Sequence, residues 1–413
     1  MNKVISIMNF IPNDLKDRPV YLDRVKPFIN QNIIKVFTGQ RRVGKSYLLF
    51  QLMAYILEQN PKASIIYINK EDLAFSNLKN SKDLNDIVKK KSYVNKTNYV
   101  FIDEIQDIEN FQDALRSLLL DKNIDLYCTG SNANLLSSDI AGVLSGRFIE
   151  TQVYSLSYEE FLDFHQINNT SSSLELYMKY GGLPYLKHLP LTDEVVFEYL
   201  KNIYTTILYR DIINRYNVRK TNLLEKLVVF LADNSGSLFS AKKISDFLKS
   251  QHIQIAPNQV QQYISYLVSS FILHEVKRFD IKGKKIFEIN DKYYFENLGI
   301  RNAIWGYRLQ DRGKIMENLV YNHLVFLNYE VKVGKLADKE IDFIAKKNAY
   351  YYYFQVALSI NNEKTLKREF ENLMAIDDNY PKYVVTMEKF EGIGYKGIKC
   401  IDLKSFLVSK ELS

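Results

Sequence analysis

Residues Gly39, Gln40, Arg41, Arg42, Val43, Gly44, Lys45 and Ser46 set two glycines, a lysine and a hydroxyl at the spacing G-x-x-x-x-G-K-S. Each fixed position answers a need of polyphosphate chemistry. Gly39 and Gly44 let the backbone curl until the N–H groups of Gln40 to Val43 and their neighbours point into one concavity, which suits phosphate oxygens. Lys45 has the reach for β- and γ-phosphates, and the Ser46 hydroxyl can sit on Mg²⁺. Further along, "NYVFIDEIQDI" is an apolar run that closes on Asp103 and Glu104. An acid at a strand end can hold Mg²⁺ through water, and its neighbour can polarise the water that attacks a γ-phosphate. The chemistry expected of these residues is Mg²⁺-dependent binding and hydrolysis of ATP.

Such residues need strands to deliver them and a helix to receive the phosphates. "IIKVF" before the loop is a short β-branched run, and "SYLLFQLMAYILEQN" after it has apolar residues at helical spacing. "SIIYIN" and "IDLYCTGSN" supply further strands, the second ending in Ser131 and Asn132. Strand C-termini of a parallel sheet face the nucleotide crevice, so these two side chains are placed to sense the γ-phosphate or hold the water. The alternation over residues 20–155 predicts a parallel α/β core.

The whole chain, 413 residues, is long enough for more than one domain. Its hydrophobic fraction of 46% and charged fraction of 25% are those of an ordinary soluble globular protein. Cys128 and Cys400 lie far apart without metal-ligand spacing, which points to a reduced, cytoplasmic chain. No apolar run reaches bilayer length, so no membrane partner is expected. The opening "MNKVISIMNFIPNDL" breaks at Pro12 and lacks a cleavage site, and is not read as a signal peptide. The net charge of +7 is unevenly placed: residues 215–292 hold 13 Lys and Arg against 7 Asp and Glu.

Taken in order, "GQRRVGKS", "YVFIDEIQ", "LYCTGSNANLLSS", "LSGRFIETQVYSLSYEEFL" and "YGGLPYL" resemble the prokaryotic AAA+ ATPases that carry a C-terminal domain of restriction-endonuclease-like fold. The likeness covers nearly the whole chain. Its phosphate loop and acid pair are generic, whereas the Ser-Gly-Arg and Gly-Gly-Leu-Pro elements are more specific. The resemblance implies an α/β P-loop ATPase core (1–156), a helical lid (157–216), a winged helix-turn-helix (217–292) and a degenerate PD-(D/E)xK-like α/β domain (293–413). In that pattern Arg147 is a candidate arginine finger or sensor, placing positive charge where the transition state gains negative charge. The alternative is a surface arginine paired with Glu150 or Glu159. Acting in trans it would require a homo-oligomer; acting in cis it would not. Arg210 is a candidate lid sensor of the γ-phosphate, against the plainer reading of a solvated Arg210–Asp211 neighbour pair.

The basic segment reads as three helices and a hairpin. Ser240 is the expected N-cap of the second helix. In the third, Val260, Ile264, Leu267, Val268 and Phe271 share a face, while Asn258, Gln259, Gln261, Gln262 and Tyr266 lie on the exposed side. "ILHEVKRFDIKGKKIFEI" is expected to fold as the hairpin, its tip at Lys282-Gly283-Lys284. Double-stranded DNA is the candidate partner, with wing cations on phosphates and little sequence selectivity, because the reading helix offers no Arg for guanine. The alternative is a protein-docking module.

In the tail, Glu317 on a helix and Asp342 and Gln355 on successive strands match the metal-binding positions of the PD-(D/E)xK nucleases, but Ala357 stands where their lysine belongs. Lys346 and Lys347 are the candidates to reach in from the neighbouring strand. Gln355 brings no charge to a hard divalent ion, so the second metal site is degenerate and the domain is expected not to cut. The expected function is an ATP-driven conformational switch acting on nucleic acid. The alternatives are an ATP-dependent nuclease or defence effector, and a nucleotide-gated protein scaffold.

Overall fold

The computed structural model describes residues 11–136, 142–144, 146–286, 290–359, 363–389 and 394–412. Its contacts form two compact units, one of Met1–Tyr154 with Ser269–Phe271 and one of Ser155–Val268 with Ile272–Ser413, taken over the described residues.

In the first unit β1 (Ile34–Thr38), β2 (Ser64–Asn69), β3 (Asn98–Asp103), β4 (Ile124–Gly130) and β5 (Phe148–Gln152) form a parallel sheet in the order β2-β3-β4-β1-β5. Every residue of β1, β3 and β4 is buried, as expected of parallel strands covered on both faces. The helices are α1 (Pro19–Val25), α2 (Lys45–Gln59), α3 (Ser81–Lys91) and α4 (Phe111–Leu118). Leu84 and Val88 of α3 and Leu115 and Leu118 of α4 pack with Ile66, Val100 and Leu126 of the strands. Burying an aliphatic side chain of this size is worth about 1.5–3 kcal/mol. This core fixes the strand ends from which the loops leave.

The second unit opens with α5 (Tyr158–His165), α6 (Ser171–Tyr180) and α7 (Asp193–Thr206), which runs on as a π-helical stretch over Ile207–Asn214. Then come α8 (Thr221–Asp233), α9 (Ala241–Ser250) and α10 (Pro257–Ser269). Ser240 does cap α9, its hydroxyl accepting from the Lys243 N–H. Val260, Ile264 and Leu267 of α10 are buried.

Four short strands follow: β6 (Leu273–Val276), β7 (Arg278–Asp280), β8 (Lys285–Ile286) and β9 (Lys292–Phe295). The sequence suggests one hairpin over residues 272–289. The structure divides it: β7 pairs with β8 around the expected tip, whereas β6 pairs with β9. Residues 287–289 lie outside the described residues. The physical reason is the edge of β7, whose groups unpaired by β8 find a parallel partner in a later strand.

That strand is β10 (Glu330–Leu336), followed by β11 (Lys339–Lys347), β12 (Tyr350–Ala357), β13 (Lys382–Thr386), β14 (Gly394–Tyr395) and β15 (Ile398–Asp402). They form an eight-stranded sheet in the order β14-β15-β13-β12-β11-β10-β7-β8. The remaining helices are α11 (Leu298–Trp305), α12 (Arg312–Phe326), α13 (Glu363–Met374) and α14 (Leu403–Leu407). Leu319 and Val320 of α12 pack with Phe343 and Phe354, while Phe370 and Leu373 of α13 pack with Tyr353 and Ala357.

Candidate functional site

The phosphate loop leaves β1 at Thr38 and enters α2 at Lys45. A Cβ on Gly39 (φ +145°) would stand 2.2 Å from the Val153 carbonyl oxygen, and Gly44 (φ +99°) precedes α2 in the left-handed region. Both positions therefore require glycine. Arg42 shares the curl at φ +72° and is exposed, whereas Gln40, Arg41 and Val43 are buried. No side chain caps α2, which leaves its first N–H groups to a ligand. Lys45 is buried, and its Nζ donates to the Gly39 and Gln40 carbonyl oxygens at 2.9 Å each. Arg41 pairs with Glu71 at 3.2 Å.

Asp103 ends β3 and accepts hydrogen bonds from the hydroxyls of Thr129, Ser46 and Tyr67. Burial, together with the Glu104 charge, raises its pKa by more than the Thr129 and Ser46 hydrogen bonds and the Lys45 charge lower it. Glu104 leaves the strand at φ +55°, a left-handed conformation held by its N–H on Thr129 Oγ1 at 2.9 Å. Glu104 Oε2 accepts from Ser131 Oγ at 3.0 Å and from the Gln106 amide. Burial alone would raise its pKa, but the Lys45 and Arg41 charges and these two hydrogen bonds outweigh it and hold Glu104 below the ordinary carboxylate value. Ser46 and Asp103 are joined hard oxygen donors, which fits Mg²⁺.

Ser131 thus joins the expected cluster. Asn132 is buried beside it, and its Oδ1 accepts the Asn134 N–H at 2.8 Å, so it shapes its own turn. Sequence reasoning missed Thr129 and Gln106. Their signals were faint: a threonine at the end of β4, and an amide two residues past the acid pair.

Arg147 stands apart from this cluster. β5 runs parallel to β1 with Phe148 opposite Ile34, and the Arg147 carbonyl oxygen accepts the Ile34 N–H at 2.9 Å. Arg147 is exposed where the strands enter the sheet, and the phosphate loop leaves at the other end, a strand length of roughly 17 Å away. Glu150 accepts from Thr38 Oγ1 and Glu159 pairs with Lys410. Arg210 is exposed on the π-helical stretch of the second unit, next to the buried Asp211.

In the basic segment, Lys282, Lys284 and Lys285 are exposed around the β7–β8 turn, which Asp280 Oδ1 closes by accepting the Lys282 and Gly283 N–H groups. Lys277 is instead paired with Asp291 and Glu275, and Arg278 is half-buried. On α10, Asn258, Gln261 and Gln262 are exposed, Gln259 is half-buried, and Tyr266 stacks on Tyr216 at 3.9 Å.

At the degenerate second metal site the structure gives each side chain protein partners. Gln355 spends its Oε1 on the Asp342 N–H at 2.8 Å and its Nε2 on Glu369 at 2.7 Å. Asp342 Oδ2 accepts the Val356 N–H, and burial, with the Glu317 charge next, pushes its pKa up to about 8. Glu317 Oε1 accepts from Tyr294 OH at 2.6 Å and from Lys292 Nζ at 2.8 Å. Among the described residues no group of three or more His, Cys, Asp or Glu is placed to hold a metal ion, and Glu317, Asp342 and Gln355 are engaged by these protein partners. Lys346 lies over the Tyr351 ring, and Lys347 donates to the Leu327 carbonyl oxygen. Ala357 belongs to the apolar cluster on the α13 side. Lys292, the lysine that does reach the acids, was missed; its only sequence signal is a charge within the aromatic run "KYYF" of β9.

The sequence profile of the AAA domain matches residues 31–162, and that of a domain of unknown function, DUF8612, matches residues 171–311. An uncharacterized protein of Haemophilus influenzae is 35% identical over 398 residues, covering 95% of this chain and 98% of its own. An uncharacterized protein of Methanocaldococcus jannaschii is 28% identical over 376 residues, 84% of this chain and 80% of its own. Among solved structures, the Thermotoga maritima RuvB Holliday junction branch migration motor covers 62% of this chain and 87% of its own, at 14% identity and a TM-score of 0.33, too loose a likeness to build on. No described helix is long and apolar enough to cross a membrane. With its phosphate loop, acid pair and parallel sheet inside the matched AAA domain, the chain carries an AAA domain and belongs to the same family as the Haemophilus influenzae protein.

Proposed function

We propose that the protein is a Mg²⁺-dependent ATP-hydrolysing switch whose second unit responds to the γ-phosphate, with duplex nucleic acid as its client. The observation that carries the hydrolytic reading is Glu104, a buried carboxylate kept anionic beside the Ser46–Asp103 pair and the glycine loop. The loop N–H groups bind the phosphates, and Lys45 exchanges the Gly39 and Gln40 carbonyl oxygens for phosphate oxygens. Ser46 and Asp103 hold Mg²⁺, which neutralises charge on the phosphates. Glu104 polarises the attacking water, with Ser131 and Gln106 fixing its carboxylate. Arg147, being remote from the loop of its own chain, serves a neighbouring subunit in a homo-oligomer, and Arg210 senses the γ-phosphate from the lid.

Support for the nucleic-acid client is the order of α8, α9 and α10 ahead of the β7–β8 turn, a winged-helix order, with three exposed lysines at the turn. The 293–413 segment is read as a nuclease-like fold without nuclease activity, in a cytoplasmic protein.

Steady-state ATP hydrolysis with and without duplex DNA tests this, with Lys45→Ala as the blank. Stimulation by DNA that weakens with salt is the expected result. Hydrolysis indifferent to DNA, with no DNA bound at low salt, would transfer the client role to a protein.

A further inference from the structure

Three elements of the second unit meet at one ammonium group. Lys292 lies on β9, Glu317 on α12, and Glu340 and Asp342 on β11. Lys292 Nζ is 2.8 Å from Glu317 Oε1 and 2.8 Å from Glu340 Oε1, and Asp342 acts on the same charge. The lysine is 4% exposed, a burial that ammonium groups tolerate only when paired. Tyr294, two residues along β9 and so on the same strand face, donates to the same Glu317 oxygen. Glu340 is 39% exposed, so the cluster opens to solvent on that side.

We propose that Lys292 is the resident cation of this carboxylate cluster: its tethered ammonium takes the place that a divalent metal would take between Glu317 and Glu340, and thereby excludes metal from the fold. The contacts of 2.8 Å suit an ammonium, whereas Ca²⁺ would draw oxygens to about 2.3–2.6 Å and Mg²⁺ to about 2.0–2.1 Å. A second cation entering beside the lysine would meet a like charge in a poorly hydrated place. The lysine also joins β9 to the helix and strand of the large sheet, so the cluster works as a clasp. The 293–413 segment then keeps the acids of a metal site and has no use for metal.

The test uses the full-length, nucleotide-free protein and Mn²⁺ as the probe. Thermal midpoints are taken with and without MnCl₂, and bound Mn²⁺ is located by electron paramagnetic resonance, with Glu317→Gln marking this cluster apart from Ser46 and Asp103. The wild type is expected to show no Mn²⁺ signal that Glu317→Gln removes. Lys292→Ala should lower the midpoint of the second unit by about 10 °C, and MnCl₂ should restore most of that loss, but not in Lys292→Ala/Glu317→Gln. A Glu317-dependent Mn²⁺ site in the wild type overturns the proposal, as does a folded Lys292→Ala that ignores MnCl₂. Should Lys292→Ala not fold, Lys292→Met/Glu317→Gln removes the charges as a pair. A folded double variant supports the clasp, and one that stays unfolded overturns it. ATP binding, measured on the same samples, keeps this result separate from the fate of the proposed ATPase.

Discussion

Each unit sets a buried lysine near two or more carboxylates, and the two lysines are held in opposite ways. In the first unit Lys45 Nζ donates to two neutral carbonyl oxygens, and its charge lowers the pKa of Glu104. In the second, Lys292 Nζ lies directly on two carboxylates. Neutral acceptors on a glycine loop release an ammonium readily when phosphate arrives. Paired carboxylates do not, because separating buried charges leaves each without a partner. One lysine is therefore placed to act on phosphate, and the other is fixed as part of the fold.

The contrast is tested first by Lys45→Ala, which should abolish detectable nucleotide binding while leaving both units folded, as read by isothermal titration and circular dichroism. Glu104→Gln should keep nucleotide binding and slow turnover by about 10²–10⁴; normal turnover would remove Glu104 from its assigned role. Lys292→Ala should reverse the pattern, keeping nucleotide binding and costing the second unit about 3–5 kcal/mol. Equal nucleotide affinities and equal denaturation midpoints for the two lysine variants would end the distinction.

A smaller effect comes from His323, buried on α12, whose Nε2–H donates to the Ser409 carbonyl oxygen. Burial lowers its pKa to about 4 despite that hydrogen bond. An unfolded histidine protonates near 6.5, so its contribution is whole above that pH and is lost as pH falls toward 4, about 2 kcal/mol by pH 5. Denaturation at pH 7 and pH 5 should show this loss in the second unit, and His323→Gln should shrink it. Tyr294→Phe removes one donor from Glu317 and should cost about 1.5 kcal/mol; no measurable cost would mean that the lysine alone satisfies that carboxylate.

The phosphate loop was legible because its chemistry is written in eight contiguous residues whose backbone curl needs glycine at Gly39 and Gly44. The strands were legible for a related reason, since buried parallel strands read as continuous apolar runs. "SIIYIN" is β2 residue for residue, whereas "KEIDFIAKK" matches β11, an antiparallel strand that is only partly buried. The hairpin was half legible: turn chemistry placed its tip, but nothing local says that β6 will take β9 as its partner. Arg147 was read by its distance in sequence from the sensor strand, and strand direction put it at the far end of the sheet from the loop.

The sequence alone therefore determined the phosphate-loop motif, the parallel core and most of the order of elements, because each rests on short-range periodicity or on a motif shorter than a helix. Only the tertiary structure decided which lysine meets which acid. Lys292, Glu317, Glu340 and Asp342 come from a strand, a helix and a second strand with no common period, and their meeting depends on how those elements pack. A buried charge must find a partner wherever the fold brings one, and that choice is made in space, not along the chain.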